Sequence, residues 1–144
     1  MSVKQISVFL ENKPGKLSEL TSLLSANGID LRALSLAETN DFGIARMIAD
    51  DVEKATAVLQ DGGFILRLTN VLAFAVPDEP GGLNRLLTVF NDAKVNIIYM
   101  YAFLGGAEKK RAYMIFRVTD TKGSEAALTE RGLTPLTREE IAVI

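Results

Sequence analysis

The sequence contains no cysteine and no histidine. Without cysteine there is no disulfide and no thiolate nucleophile, and without histidine the commonest general base and transition-metal ligand is gone. No stretch approaches the roughly 18 consecutive apolar residues that span a bilayer. Met1 to Glu11 lacks both the basic leader and the long apolar segment of a secretory signal. Sixteen basic against eighteen acidic residues leave a formal charge of −2, with no basic run to neutralise the phosphates of a nucleic acid. The expectation is a soluble, cytoplasmic protein that binds neither nucleic acid nor membrane and uses no metal or cofactor.

What the sequence does have is a repeated corner. Val76-Pro77-Asp78-Glu79-Pro80-Gly81-Gly82-Leu83 takes an apolar strand into an acidic turn. Pro80 then sets φ for a first helical turn, and two glycines let a small anionic group approach the backbone. Phe9-Leu10-Glu11-Asn12-Lys13-Pro14-Gly15-Lys16-Leu17 has the same order, and Pro14 and Pro80 lie 66 residues apart (80 − 14). A length of 144 residues allows one average domain or two small ones. The repeat selects two, 1–69 and 70–144. Halves of about 70 residues have thin cores, so they should pack on each other or on a second chain, giving a compact dimeric unit.

In the first half, Val3 to Leu10 alternates as a strand. Pro14 opens a helix with Leu17, Leu20 and Leu24 on one stripe, capped by Asn12 or Lys13. Asn27-Gly28 ends it. Strands at Ile29 to Ala37 and Ile44 to Ala49 form a hairpin about Asn40-Asp41. Asp50 or Asp51 caps a helix over Val52 to Gln60, and Phe64 to Leu68 is the fourth strand. This order is the split βαβ, ferredoxin-like unit: α+β, with an antiparallel sheet and both helices on one face.

From Val71 the order restarts. Val71 to Val76 is a strand, and Leu83, Leu86, Leu87 and Phe90 form a helical stripe. Val95-Asn96-Ile97 matches Ile29-Asp30-Leu31 at the offset of 66, whereas Asp120 matches Asp50 at an offset of 70. About four residues are therefore inserted, at the hairpin tip Gly105 to Lys110. Tyr113 to Val118, Ser124 to Glu130 and a capping box at Thr137 to Glu140 follow. Val95, Ile97, Tyr99, Tyr101 and Phe103 alternate with Ile98, Met100, Ala102 and Leu104, so both faces of that strand are apolar. A second sheet must cover one of them, from the other repeat or from another subunit.

Two copies of strand, (Asn/Asp)-x-Pro-Gly-x-Leu, helix and (Ile/Val)-(Asp/Asn)-(Leu/Ile) resemble a tandem pair of ACT domains across nearly the whole chain. The second copy is similar to the regulatory modules of aspartokinases. The resemblance implies two ferredoxin-like βαββαβ units that bind a free amino acid or similar effector where ACT units meet. It places the ligand against Asn12, Pro14, Gly15, Lys16 and Leu17 in the first loop, and against Asp78, Glu79, Pro80, Gly81, Gly82 and Leu83 in the second. Facing strand positions would be Asp30, Leu31, Asn96 and Ile97.

Elementary electrostatics suits that assignment. Free N–H groups and the positive dipole end of each first helix favour an α-carboxylate. Asp78, Asp30 and the Asn96 carbonyl can receive an α-ammonium. The structural alternatives are that Asn12 and Asp78 cap helices, that Gly15 and Gly81 only make turns, and that Asp30 and Asn96 satisfy local backbone. Tyr99 and Tyr101 read as core rather than ligand contacts. Lys16 against Gly82, and Asn12 against Asp78, make the two loops unequal and favour the second.

Function divides three ways. The first reading is a stand-alone, non-enzymatic regulator, homodimeric, that senses an amino acid and signals allosterically to a separately encoded partner enzyme. The second is a small ferredoxin-like enzyme, disfavoured by the missing histidine and cysteine. The third is a dimerisation scaffold without ligand.

Overall fold

The computed structural model describes residues 2–39, 41–104 and 110–144. The expected hairpin tips at Asn40 and at 105–109 lie outside the described residues. The elements are β1 (Val3–Glu11), α1 (Lys16–Ala26), β2 (Leu31–Glu38), β3 (Phe42–Ala49), α2 (Val52–Asp61) and β4 (Ile65–Pro77). They continue with α3 (Gly82–Asp92), β5 (Ile97–Ala102), β6 (Arg111–Val118), α4 (Thr121–Glu130) and α5 (Arg138–Ala142). All strand pairs are antiparallel, in the order β2-β3-β1-β4-β6-β5. The fold is α+β, ferredoxin-like, in two units.

The strands expected at Phe64 to Leu68 and Val71 to Val76 are one. Neither glycine nor proline falls between Phe64 and Val76 to break the ladder, so β4 runs 13 residues. Its Ile65–Val71 portion pairs with β1 and its Leu72–Pro77 portion with β6. The two units thus share a strand, and neither can shift without the other.

Three apolar clusters follow. In the first unit Ile6, Val8 and Met47 of the sheet meet Leu20, Leu24 and Leu59 of the helices. In the second, Phe74, Phe116 and Val118 meet Leu86, Phe90 and Leu128, and the Phe90 and Phe116 rings lie 4.8 Å apart. The third cluster lies away from both helix layers, where Val3, Ala33 and Ile48 pack with Val71, Ala73 and Ile115, joined by Tyr101, Phe103 and Ile141. The second apolar face of β5 is therefore covered by the other unit of the same chain. There Ala33 bridges Phe103, and the Leu104 N–H donates to the Arg32 carbonyl at 2.9 Å, so the two ends of the strand order touch.

The face assignment within β5 needs correction. The register slips between Ile97 and Tyr99, as it does between Leu31 and Ala33 in β2. A bulge inverts the alternation at that point. Ile97 and Met100 both join the helix-side core, while Tyr101 and Phe103 face the first unit.

Helix caps correct the insertion length. The Asp51 side chain accepts from the Lys54 N–H and the Asp120 side chain from the Gly123 N–H. These equivalent caps are 69 residues apart (120 − 51), so relative to the offset of 66 three residues are inserted rather than four. Asp50 takes another role, accepting from the N–H groups of Asp30 and Asp51. The last strand of the second unit is reduced to an extended segment whose Leu136 N–H donates to the Ala73 carbonyl at 2.8 Å. Thr137 then caps α5 through the Glu140 N–H, as the capping-box spacing indicates.

Candidate functional site

Both corners end on a glycine in the same left-handed backbone: Gly15 at φ 87°, ψ −10° and Gly81 at φ 87°, ψ −8°. These glycines are the residues before the first helical turns, and neither helix has a side-chain cap. Asn12, Lys13 and Asp78 therefore cap nothing, and Pro14 and Pro80 lie in the turn rather than in the helix. The reason is that the turn satisfies itself with backbone. Lys13 N–H donates to Glu11 C=O at 2.8 Å and Glu79 N–H to Pro77 C=O at 2.9 Å. Among the described residues, Asn12 and Asp78 are held by their own N–H groups, which donate to the carbonyls of Asp41 and Lys110.

The second corner is the tighter one. A Cβ on Gly82 would fall 2.1 Å from the Pro77 carbonyl oxygen, so glycine is dictated there by close approach. Its counterpart Lys16 carries a full side chain, paired with Glu19 at 3.4 Å.

A cation guards each corner, and the site residues expected from sequence omit both. Lys13 pairs with Glu11 at 2.8 Å, and its hydrogen bond and charge hold the Glu11 carboxyl below the usual carboxylate range. Arg85 pairs with Glu79 at 2.7 Å, with Nη1 3.2 Å from where a Gly81 Cβ would stand. The signal was there: Lys13 stands inside the repeated loop, and Arg85 lies one helical turn beyond Gly81. Beside the first corner is a cavity of about 310 Å³ lined by Asn12, Lys13, Lys16, Leu17, Leu36 and Glu38. It offers two lysines and the carboxylates of Glu11 and Glu38 beside apolar Leu10, Leu17 and Leu36, and every described residue lining it belongs to the first unit.

The strand-start positions stand elsewhere. β1 and β2 both pair antiparallel with β3, so they run the same way, and Asp30 and Leu31 lie at the opposite sheet end from Asn12 to Leu17. Asn96 and Ile97 are likewise remote from the corner Asp78 to Leu83 in their own unit. Asp30 pairs with Arg32 at 2.6 Å, and Asn96 donates to the Thr119 hydroxyl at 2.8 Å. Leu31 and Ile97 pack into the helix-side cores. Across the seam the relation reverses. The Ala33–Phe103 bridge brings the start of β2 to the end of the second sheet from which the second corner leaves.

The duplicated corner, the shared strand and the fold point one way, and comparison with known proteins agrees. A family model described as an ACT domain pair matches residues 1–144. The chain belongs to the ACT domain family. It is similar to protein BT0572 from Bacteroides thetaiotaomicron, with 35% sequence identity over 100% of this chain and 98% of that chain and a TM-score of 0.90. The ligand-free regulatory subunit of aspartate kinase from Thermus thermophilus covers 92% of each chain at 14% identity and a TM-score of 0.63. That from Thermus flavus matches at 13% identity and 0.57, over 90% of this chain and 92% of its own. At such identities the likeness is one of fold. No match was found among curated protein sequences. Membership as an ACT pair is consistent with a small-molecule-binding regulatory role. Among the described residues no helix is long and apolar enough to cross a membrane, and no group of acidic side chains has metal-site spacing.

Proposed function

We propose that this ACT pair is a non-enzymatic regulator that binds a free amino acid at its Pro-Gly corners and signals to a separately encoded partner enzyme in the cytoplasm. The observation that carries the reading is the first-corner cavity, lined by Lys13 in the turn, Lys16 at the start of α1, and the carboxylates of Glu11 and Glu38. A zwitterion needs charges of both signs, with the carboxylate at the helix N-terminus. Among the described residues this cavity has walls from one unit only, and the strand starts Asp30 and Asn96 lie at the far sheet ends from their own corners. A second copy of the chain, docked as a homodimer, supplies the missing wall in this reading, so that occupancy shifts the arrangement of units.

A thermal-shift screen against the common amino acids at millimolar concentration tests it. A ligand at about 100 times its dissociation constant stabilises the fold by roughly 2.7 kcal/mol, a clear rise in Tm. Lys16→Glu should abolish the response, and mass spectrometry of the purified protein should find the same amino acid. No response to any amino acid leaves the scaffold reading in its place.

A further inference from the structure

We propose that the cleft between the two units is a second ligand site, distinct from the Pro-Gly corners, built to hold a small organic anion carrying at least two negative charges. The cleft has a volume of about 560 Å³, and three arginines but no aspartate or glutamate line it. In a chain with more acidic than basic residues that segregation is notable.

Strand register builds the floor. On β1, Ser7 stands directly opposite Arg46 of β3 on one side and Arg67 of β4 on the other. Neighbouring strands are about 4.8 Å apart, so two guanidinium stems flank one hydroxyl within a single cross-strand row. The second unit supplies the wall. Tyr99 of β5 pairs with Arg117 of β6, and the Arg46 guanidinium lies over the Tyr99 ring at 4.0 Å from its centre. Arg46 and Arg117 are half-buried and Arg67 is exposed. Among the described residues none of the three has a carboxylate partner, whereas Arg32, Arg85 and Arg138 each do. Arg117 spends Nη1 on the Val118 carbonyl and the Thr121 hydroxyl, which leaves the rest of its fork.

The hydroxyls are set to donate. Gln5 is fully buried behind the cleft, and its amide nitrogen donates to Ser7 Oγ at 3.0 Å and to Tyr99 Oη at 2.7 Å. Each of those oxygens is already an acceptor, so each retains an O–H to give. The cleft thus presents guanidinium and hydroxyl donors without a competing carboxylate. Three like charges held together repel, and an anion with clustered oxygens relieves this while accepting the forked bonds that arginine makes. Above the floor, Phe9 and Ile44 form an apolar rim suited to the carbon skeleton of the ligand.

Phosphate esters and polycarboxylates share this chemistry, and calorimetric titration of the full chain at low salt with phenyl phosphate, citrate and inorganic phosphate separates them. Saturable binding of phenyl phosphate or of citrate supports the proposal and identifies the source. No saturable binding by either overturns it. Arg67→Gln and Arg117→Gln should each raise the dissociation constant about tenfold or more, as loss of a charged hydrogen bond requires. Unchanged affinity in the double variant overturns the site. The control Lys16→Glu should leave the affinity unaltered, and an equal loss there would place the anion at the corner instead. Should the arginine variants fail to fold, NMR of the unmodified protein decides: probe-induced shifts must centre on Ser7 and Tyr99 and not on Asn12. Amino-acid binding at the corners can fail without touching this result.

Discussion

The Tyr101 hydroxyl donates to Gln5 Oε1 at 2.7 Å, joining residues 96 positions apart across the seam between the units. Gln5 has no exposure and spends both ends of its amide on side chains of the seam: Ser7 and Tyr99 at the nitrogen, Tyr101 at the oxygen. A satisfied buried amide is tolerated, whereas one left without a partner costs its full desolvation.

Tyr101→Phe should therefore destabilise the protein by about 1–3 kcal/mol, because it removes the donor and leaves Gln5 Oε1 buried. Burial, more than the nearby Tyr99, pushes the Tyr101 phenol above its ordinary value of 10.0, against a smaller opposing effect of Arg46. The neutral form is thus favoured in the folded state. This contribution is fully present below the unfolded value near 10 and is lost as pH rises through and beyond it. Urea melts between pH 8 and about pH 11 should show stability falling less steeply in Tyr101→Phe than in the unmodified protein.

The corner glycines make separable predictions. Gly15→Ala has φ 87° and nothing within 4 Å of the new Cβ, so its cost is conformational alone, about 1–2 kcal/mol. Gly82→Ala meets the Pro77 carbonyl oxygen at 2.1 Å and must move the backbone. Its cost should exceed that of Gly15→Ala, at or above the upper end of the roughly 1–3 kcal/mol typical of forced overpacking. Chemical denaturation of the two variants side by side checks the order.

Asp78 and Asp120 should part company. Asp120→Ala removes a cap on the Gly123 N–H and should lower stability by about 1 kcal/mol. Asp78 caps nothing, so Asp78→Ala should leave stability within about 0.5 kcal/mol. Any loss of amino-acid affinity in Asp78→Ala then reports directly on its role toward the ligand. A drop in Tm as large as that of Asp120→Ala would contradict this assignment.

The frame of the fold was legible because its signals are local. Leucine stripes, Pro-Gly corners and the offset of 66 place the helices and strands of both halves. What the sequence concealed depends on tertiary pairing. A bulge at Ile98 has no residue signature, so simple alternation puts Ile97 on the same face as Tyr101, whereas the register shift puts it on the opposite one. The capping of both α1 and α3 by left-handed glycine was masked by Asn12 and Asp78, good cap formers in the wrong place. The arginine-lined cleft was hidden more deeply, since Ser7, Arg46, Arg67 and Arg117 lie on four strands and only their register gathers them. The corner residues were visible by contrast, being contiguous in sequence.

The C-terminal helix offers the last test. Ile141 is 2% exposed and seals the third cluster beside Val3, Ala73 and Ile115, at the seam where the last strand of the second unit is reduced. Two polar ties hold this end in place: Arg138 with Glu53 on α2, and Arg32 with the Ile144 carbonyl. Ile141→Ala should cost about 2–4 kcal/mol, since a buried isoleucine leaves both lost transfer energy and a cavity that β4 and β6 cannot close. The Arg138 hydrogen bond holds the Glu53 carboxyl below its ordinary 4.5. The tie is therefore present above that value and weakens as pH falls through the lowered one. Hydrogen exchange at Leu136 and Ile141, whose N–H groups bond Ala73 and Thr137, should accelerate in Ile141→Ala before exchange in β1 does. Uniform acceleration throughout the sheet would show instead that α5 and the seam open only with the whole molecule.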